Sequence, residues 1–358
     1  MTLTMTMPTL EQRLVMALFV IMTACGDRRC VGSSSPPPTV PTEPAPTKVV
    51  ERKVSFDTME KLIWGPGKEA TYAPTTIAER EMLTKLVPLL RQGARAATPP
   101  DPSQWQAEAT AAGFQLEDWQ LGGQRYWALV EQPGRQRGAG AYFFRVAPAA
   151  DDEPEILLEA PHEYFDLGTG MLGARLFFSP PEGARPRAFF TNTIHRYQLA
   201  PGKREKRPDS PPDVAHNPEH GYTAATVAYA AAAGRVRVIQ LHGFAKLADD
   251  DDSDEDGDGP AAVEAVVSAG ERAGSSPLSG ALASELGKSF GGEIRRYPED
   301  VKKLGATTNV QGRMLKKIAG AQFVHIEMSP KLRARLAKEI DDLRKFGAIL
   351  FDPALGRE

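Results

Sequence analysis

From residue 155 onward, short apolar runs alternate with longer helical stretches, and this alternation limits the fold more than any other feature. The runs are Ile156-Leu-Leu158, Ala188-Phe-Phe190, Val236-Arg-Val-Ile-Gln-Leu241, Val263-Glu-Ala-Val-Val267 and Phe323-Val-His-Ile-Glu327. Residues 222–233, 278–290 and 331–346 read as helices between or after them. The last has Ser329 as N-cap, Pro330 in its first turn, Gly347 as stop, and Leu332, Leu336, Ile340 and Leu343 on one face. Strands separated by helices predict an α/β domain over 151–358, a mixed, mostly parallel sheet covered by helices on both faces.

A smaller α+β section is predicted over 51–150. Thr76 and Glu79 have capping-box spacing, and Met82, Leu83, Leu86, Leu89 and Leu90 follow at helical period. The pattern then changes to strands. Residues 114–119 and 126–130 read as a hairpin across Gly122-Gly123, and 141–146 as a third strand. Trp119, Tyr126, Trp127, Tyr142 and Phe143 are read as core.

The first 24 residues read as a signal peptide, with Arg13 before the apolar run Leu14–Met22, which is too short to span a bilayer. Residues 25–50, with Ser33-Ser-Ser-Pro-Pro-Pro38, form a Pro/Ser-rich linker that cannot bury a core. Met22-Thr-Ala-Cys25 resembles the lipobox of bacterial lipoproteins, which implies acylation at Cys25. The expected location is therefore outside the cytoplasm, lipid-anchored in the bacterial envelope on the periplasmic side or at the outer membrane. The only other cysteine is Cys30, so a lipidated Cys25 leaves neither a disulfide framework nor a thiolate zinc site. A net charge of −3 gives no electrostatic case for nucleic acid.

Residues 249–258 hold seven Asp and one Glu, within an acidic loop over 249–259. Asp252-Ser-Asp-Glu-Asp-Gly257 matches the start of a calcium loop, but its closing position is Val263 rather than Glu. The run is read as a solvated insertion, not a Ca2+ site.

All six histidines fall in the second section: His162, His195, His216, His220, His242 and His325. His162 comes just after the strand ending at Ala160, His195 after the one ending near Asn192, and His242 directly after Leu241; open α/β sheets bind ligands at the carboxyl ends of their strands. Pro161-His-Glu-Tyr-Phe-Asp166 offers an imidazole and two carboxylates, and His242 offers a second imidazole from another strand. Imidazole and carboxylate suit Zn2+, and catalytic zinc needs three protein ligands with a fourth place open to water. The predicted ligands are His162, Asp166 and His242, with Glu163 as the alternative to Asp166. Glu327, at the end of the last strand, is the predicted catalytic carboxylate that moves the proton. His325 is read as a core residue. His216 and His220 are read as pocket wall and helix entry, because Pro218 disturbs a helical i, i+4 pair.

These residues, in this order, resemble the N-formylglutamate amidohydrolases, whose fold is related to the zinc carboxypeptidases. The resemblance rests on Pro161-His162, Asn192-Thr-Ile-His-Arg-Tyr197, the strand ending in His242, Val266–Ser276, and Val324-His-Ile-Glu327, and covers about half the chain. It implies His162 and His242 as metal ligands, Glu327 as catalytic carboxylate and Arg196 as the holder of a substrate carboxylate. The family's His-Ser-Gly is replaced here by His162-Glu163-Tyr164. His195, His216, Asn192 and Arg313 are further substrate-binding candidates, Arg313 because a guanidinium grips a carboxylate with two parallel bonds.

The sequence thus points to a zinc-dependent amide or peptide hydrolase acting on a carboxylate-bearing substrate, such as a peptidoglycan stem peptide or a γ-glutamyl amide. The alternative is a non-catalytic envelope lipoprotein that binds wall fragments or a protein partner through the same pocket.

Overall fold

The computed structural model describes residues 49–148, 153–181, 186–245, 263–291 and 293–356. The signal peptide, Cys25, most of the linker and the acidic loop lie outside these residues. No helix among the described residues is long and apolar enough to cross a membrane.

The front section supplies strands β1 (Val50–Lys53), β2 (Phe114–Leu121), β3 (Gln124–Glu131) and β4 (Ala141–Arg145). The remainder supplies β5 (Glu155–Ala160), β6 (Ala188–Thr191), the short ribbon β7 (Gln198–Ala200) and β8 (Lys203–Arg204), then β9 (Val236–Gly243), β10 (Val263–Ser268), β11 (Glu293–Arg296) and β12 (Ala321–Met328). Among the described residues they build one ten-stranded sheet in the order β1-β2-β3-β4-β6-β5-β9-β12-β10-β11, with β7-β8 apart. Its centre, β6-β5-β9-β12, is parallel. The antiparallel pairing of β4 with β6 runs the sheet continuously into the front section. β1, which the sequence pattern did not mark as a strand, pairs in parallel with β2.

Helices cover both faces: α1 (Phe56–Ile63), α2 (Ile77–Arg95), α3 (Gln106–Ala111), α4 (Thr169–Phe178), α5 (Gly221–Ala233), α6 (Pro277–Phe290), α7 (Val310–Leu315), α8 (Pro330–Lys338) and α9 (Ile340–Leu350). The capping box at Thr76 and Glu79 opens α2. Successive residues of the central strands enter opposite cores. Leu158, Phe189, Ile239 and Val324 pack with α4, α6, α8 and α9, whereas Leu157, Phe190, Val238 and Phe323 pack with α2 and α5.

That alternation places the polar residues too. Glu159, Gln240, His242, His325 and Glu327 share the parity of Leu157, Val238 and Phe323, so they project from the α5 face. Register aligns Glu159 with Gln240, Gln240 with His325, and His242 with Glu327.

The closing helix is two helices, broken where Glu339 is extended. Ile340 is consequently 49% exposed, while Leu343, Phe346 and Leu350 turn inward. Gly347, expected to stop the helix, lies inside α9, where the close approach of Leu176, whose Cδ2 would be 2.7 Å from a Cβ, favours glycine.

Candidate metal centre

Strand β5 ends at Ala160, and the chain then makes a single helical turn in which Asp166 N donates to His162 O at 2.7 Å. Residues four apart on such a turn share a face. His162 and Asp166 therefore point the same way, towards His242 on β9. One ligand atom from each of His162, Asp166 and His242 lies within 4.8 Å of the others, and all three side chains are buried.

The outer nitrogens of both imidazoles are fixed. His162 Nε2 donates to Asp213 Oδ1 at 3.0 Å. His242 Nε2 meets Gln240 Oε1 at 2.9 Å. Gln240 Nε2 donates to the buried Glu159 carboxylate at 2.8 Å, and Gln240 Oε1 also accepts from Asn309 Nδ2 at 2.6 Å. The amide can face His242 only with its oxygen, so His242 carries its proton on Nε2. Its Nδ1 lone pair then faces Asp166 Oδ2 at 3.0 Å. Burial pushes the His242 imidazole down to about 4, so the ring is neutral near pH 7. Two lone pairs that close together call for a shared cation. His162 Nδ1, 3.6 Å from the same oxygen, has no hydrogen-bond partner among the described residues. Two imidazole nitrogens and a carboxylate, each imidazole backed by an acceptor, are the donor set and outer support of a metal site. Burial opposes ionisation of Asp166, but the adjoining His162 and His242 imidazoles hold it well below the usual carboxylate range.

Glu327 lies opposite His242 in the register. Its Oε2 has no hydrogen-bond partner among the described residues, and burial together with the Asp166 charge pushes the carboxyl up to about 8. His325, read from sequence as a core residue, is buried and packs against His242 with ring centroids 4.4 Å apart and the rings tilted by 35°. Its Nε2 is 3.6 Å from Glu327 Oε1. His242, His325 and Glu327 also lie close enough to hold an ion.

The centre opens into a cavity of about 410 Å³ lined by His162, His242, His325, Glu327, Arg196 and His216. Arg272, Tyr297, Lys302 and residues 304–309 also line it. Leu304 and Ala306 in that wall have φ of 60° and 53°, strained values that recur beside functional sites.

The other predicted residues are spread more widely. Arg196, expected to hold a substrate carboxylate, directs Nε and Nη2 to Asp213 Oδ2, the former at 2.8 Å. Its guanidinium fork is therefore committed to the protein. His216 bridges Asp213 and Thr308 at 3.1 and 3.2 Å in the cavity wall. His220 caps α5. Glu163 anchors the start of α4, accepting from Gly170 N at 2.5 Å, and is not in the metal group. Asn192 donates to Ile194 O and Pro212 O, both at 3.3 Å, and braces its own loop. His195 Nδ1 accepts from Tyr197 N at 3.1 Å, and the residue does not line the cavity. Arg313 lines a neighbouring cavity.

Asp213, Gln240, Glu159 and Arg333 were not singled out from the sequence. Only Glu159 and Gln240 leave a signal there, as polar residues inside apolar strands. Arg333 donates to Leu167 O at 3.1 Å, Phe244 O at 3.3 Å and Met328 O at 2.5 Å, tying the ligand loop to the ends of β9 and β12.

No protein-family model matches the chain, and no curated protein matches it in sequence. Solved structures similar to it include a bacteriophage poly-gamma-glutamate hydrolase, with 13% identity over 56% of this chain and 83% of that one at a TM-score of 0.32. The cell shape determinant Csd4 of Helicobacter pylori has 10% identity over 56% and 51%, at 0.35. An N-formylglutamate amidohydrolase of Ralstonia eutropha has 12% identity over 56% and 92%, at 0.33. All three scores fall below 0.5, and function has to be read from the side chains themselves.

Proposed function

We propose that the chain is a zinc-dependent hydrolase of amide or peptide bonds, acting on a carboxylate-bearing substrate. One observation carries the reading: His242 Nδ1 and Asp166 Oδ2 face each other at 3.0 Å without a proton to share, beside the unpartnered His162 Nδ1. His162, Asp166 and His242 would hold the ion. Zinc in that position supplies Lewis acidity and lowers the pKa of a bound water towards 7.

The rest of the chemistry belongs to the chain. Glu327 accepts the proton of the attacking water and returns it to the leaving nitrogen as the C–N bond breaks, giving a carboxylate and an amine. A raised proton affinity suits that second transfer, and a nearby cation draws it down towards neutral pH. Asp213 fixes the His162 tautomer, and the Glu159–Gln240 pair fixes that of His242. Glu327 and the two imidazoles all face the cavity, where an amide carbonyl can reach them.

The N-terminal signals support a placement in the bacterial envelope, anchored through Cys25, where peptidoglycan stem peptides or γ-glutamyl amides are at hand. The test is metal analysis of protein purified without chelator, followed by assay on peptides with free carboxylates. Stoichiometric zinc with hydrolysis that Glu327→Gln abolishes is the expected result. Zinc without hydrolysis would instead favour a binding protein that uses the same pocket.

A further inference from the structure

The metal cavity has a neighbour of about 560 Å³, and the two share Arg196, His216 and Thr308 as a common wall. Both are rich in cations, but the cations differ in how they are satisfied. Arg196 is neutralised by Asp213, and Arg207 by Glu205 and Asp209 at 3.2 and 3.4 Å. Arg272 and Lys302 in the first cavity, and Lys206 and Arg313 in the second, make no ion pair among the described residues, although Lys302 Nζ donates to Pro298 O at 2.6 Å.

Their order across the sheet is informative. The metal ligands and Glu327 sit at β5, β9 and β12. Arg272 follows β10 and Lys302 follows β11, on one flank of the centre; Arg196 follows β6 on the other, and Lys206, after the β7-β8 ribbon, lines the same cavity as Arg196. Unpaired cations on both sides of a reacting centre attract an anionic chain that passes across it.

We propose that the two cavities are successive subsites for an oligomeric acidic amide. Such a substrate is a chain of amide-linked units with free carboxylates on both sides of the cleaved bond. Arg272 and Lys302 take one carboxylate, and Arg313 and Lys206 take the other. This rests on the hydrolase reading and adds that the cut is internal to the chain.

The test is calorimetric binding of tetraglutamate and tetraglutamine to zinc-loaded protein, alongside hydrolysis assays on tetraglutamate and on an amide bearing a single carboxylate. Tetraglutamate is expected to bind more tightly, with an affinity that falls as salt rises. Arg272→Ala and the double variant Arg313→Ala/Lys206→Ala should each weaken it by about threefold to tenfold. Equal binding of tetraglutamine, or unchanged affinity in the double variant, overturns the subsites. Tetraglutamate that binds in this way but is never cleaved leaves the subsites standing and removes the hydrolase. Cleavage of the single-carboxylate amide with no gain for tetraglutamate does the reverse.

Discussion

Replacing Gln240 with leucine separates the orientation of a metal ligand from its identity. Gln240 Oε1 accepts from His242 Nε2 at 2.9 Å and from Asn309 Nδ2 at 2.6 Å, while its Nε2 donates to Glu159 at 2.8 Å. Leucine keeps the bulk and removes the acceptor, so nothing holds the His242 proton on Nε2. Loss of such an outer partner costs about 10–100-fold in metal affinity, or about 1.4–2.7 kcal/mol. Folding also suffers, because Asn309 and Glu159 each lose a partner at about 1–3 kcal/mol. Two assays keep these effects apart: zinc competition against a chromophoric chelator near neutral pH, and thermal unfolding in zinc-free buffer. Asn309→Ala is the control, since it removes the other donor to Gln240 and leaves His242 held. If Gln240→Leu folds and binds zinc as tightly as the parent protein, the tautomer argument is wrong.

Glu327→Gln is expected to keep its zinc and lose about 10²–10⁴-fold in rate, the size of a general acid–base contribution; a variant with near-normal turnover would remove Glu327 from the proton path. Glu159 ties stability to pH. Burial, against hydrogen bonds from Thr226 and Gln240, pushes its carboxyl up to about 7. Unfolded, it titrates near about 4.3. The folded state therefore binds the proton more tightly, and this stabilisation is full in acid and lost as pH rises through 7. Unfolding free energies compared between parent and Glu159→Gln should diverge by up to about 3 kcal/mol from pH 5 to 8. Parallel pH profiles would show that Glu159 does not titrate there.

The sequence made the parallel centre of the sheet visible because its strands are buried on both faces and read as unbroken apolar runs. His162 and His242 stood out for a related reason: each comes just after such a run, where side chains gather at the strand ends. Asp166 could be named only as one of two acids in a short loop. The helical turn from His162 to Asp166 brings it to the site, while Glu163 points away to anchor α4. What stayed hidden depends on contacts distant in sequence. Asp213 reaches His162 from 51 positions away, and no local pattern marks that pairing. Gln240 and Glu159 become meaningful only once β5 and β9 lie in register. Arg196 looked free because its partner is a loop acid beyond β8. The break at Glu339 was invisible for another reason. Leu332, Leu336, Ile340 and Leu343 satisfy a single helical stripe, and nothing in that pattern marks the extended Glu339 that separates the two helices.

X-ray absorption at the zinc edge, on protein loaded with one equivalent, addresses the metal centre most directly. The expected spectrum has nitrogen and oxygen donors only, with two imidazoles at about 2.0–2.1 Å, and in His242→Ala the imidazole signal falls to one. A spectrum unchanged by His242→Ala, or zinc that washes away with the buffer, would contradict a site built from His162, Asp166 and His242.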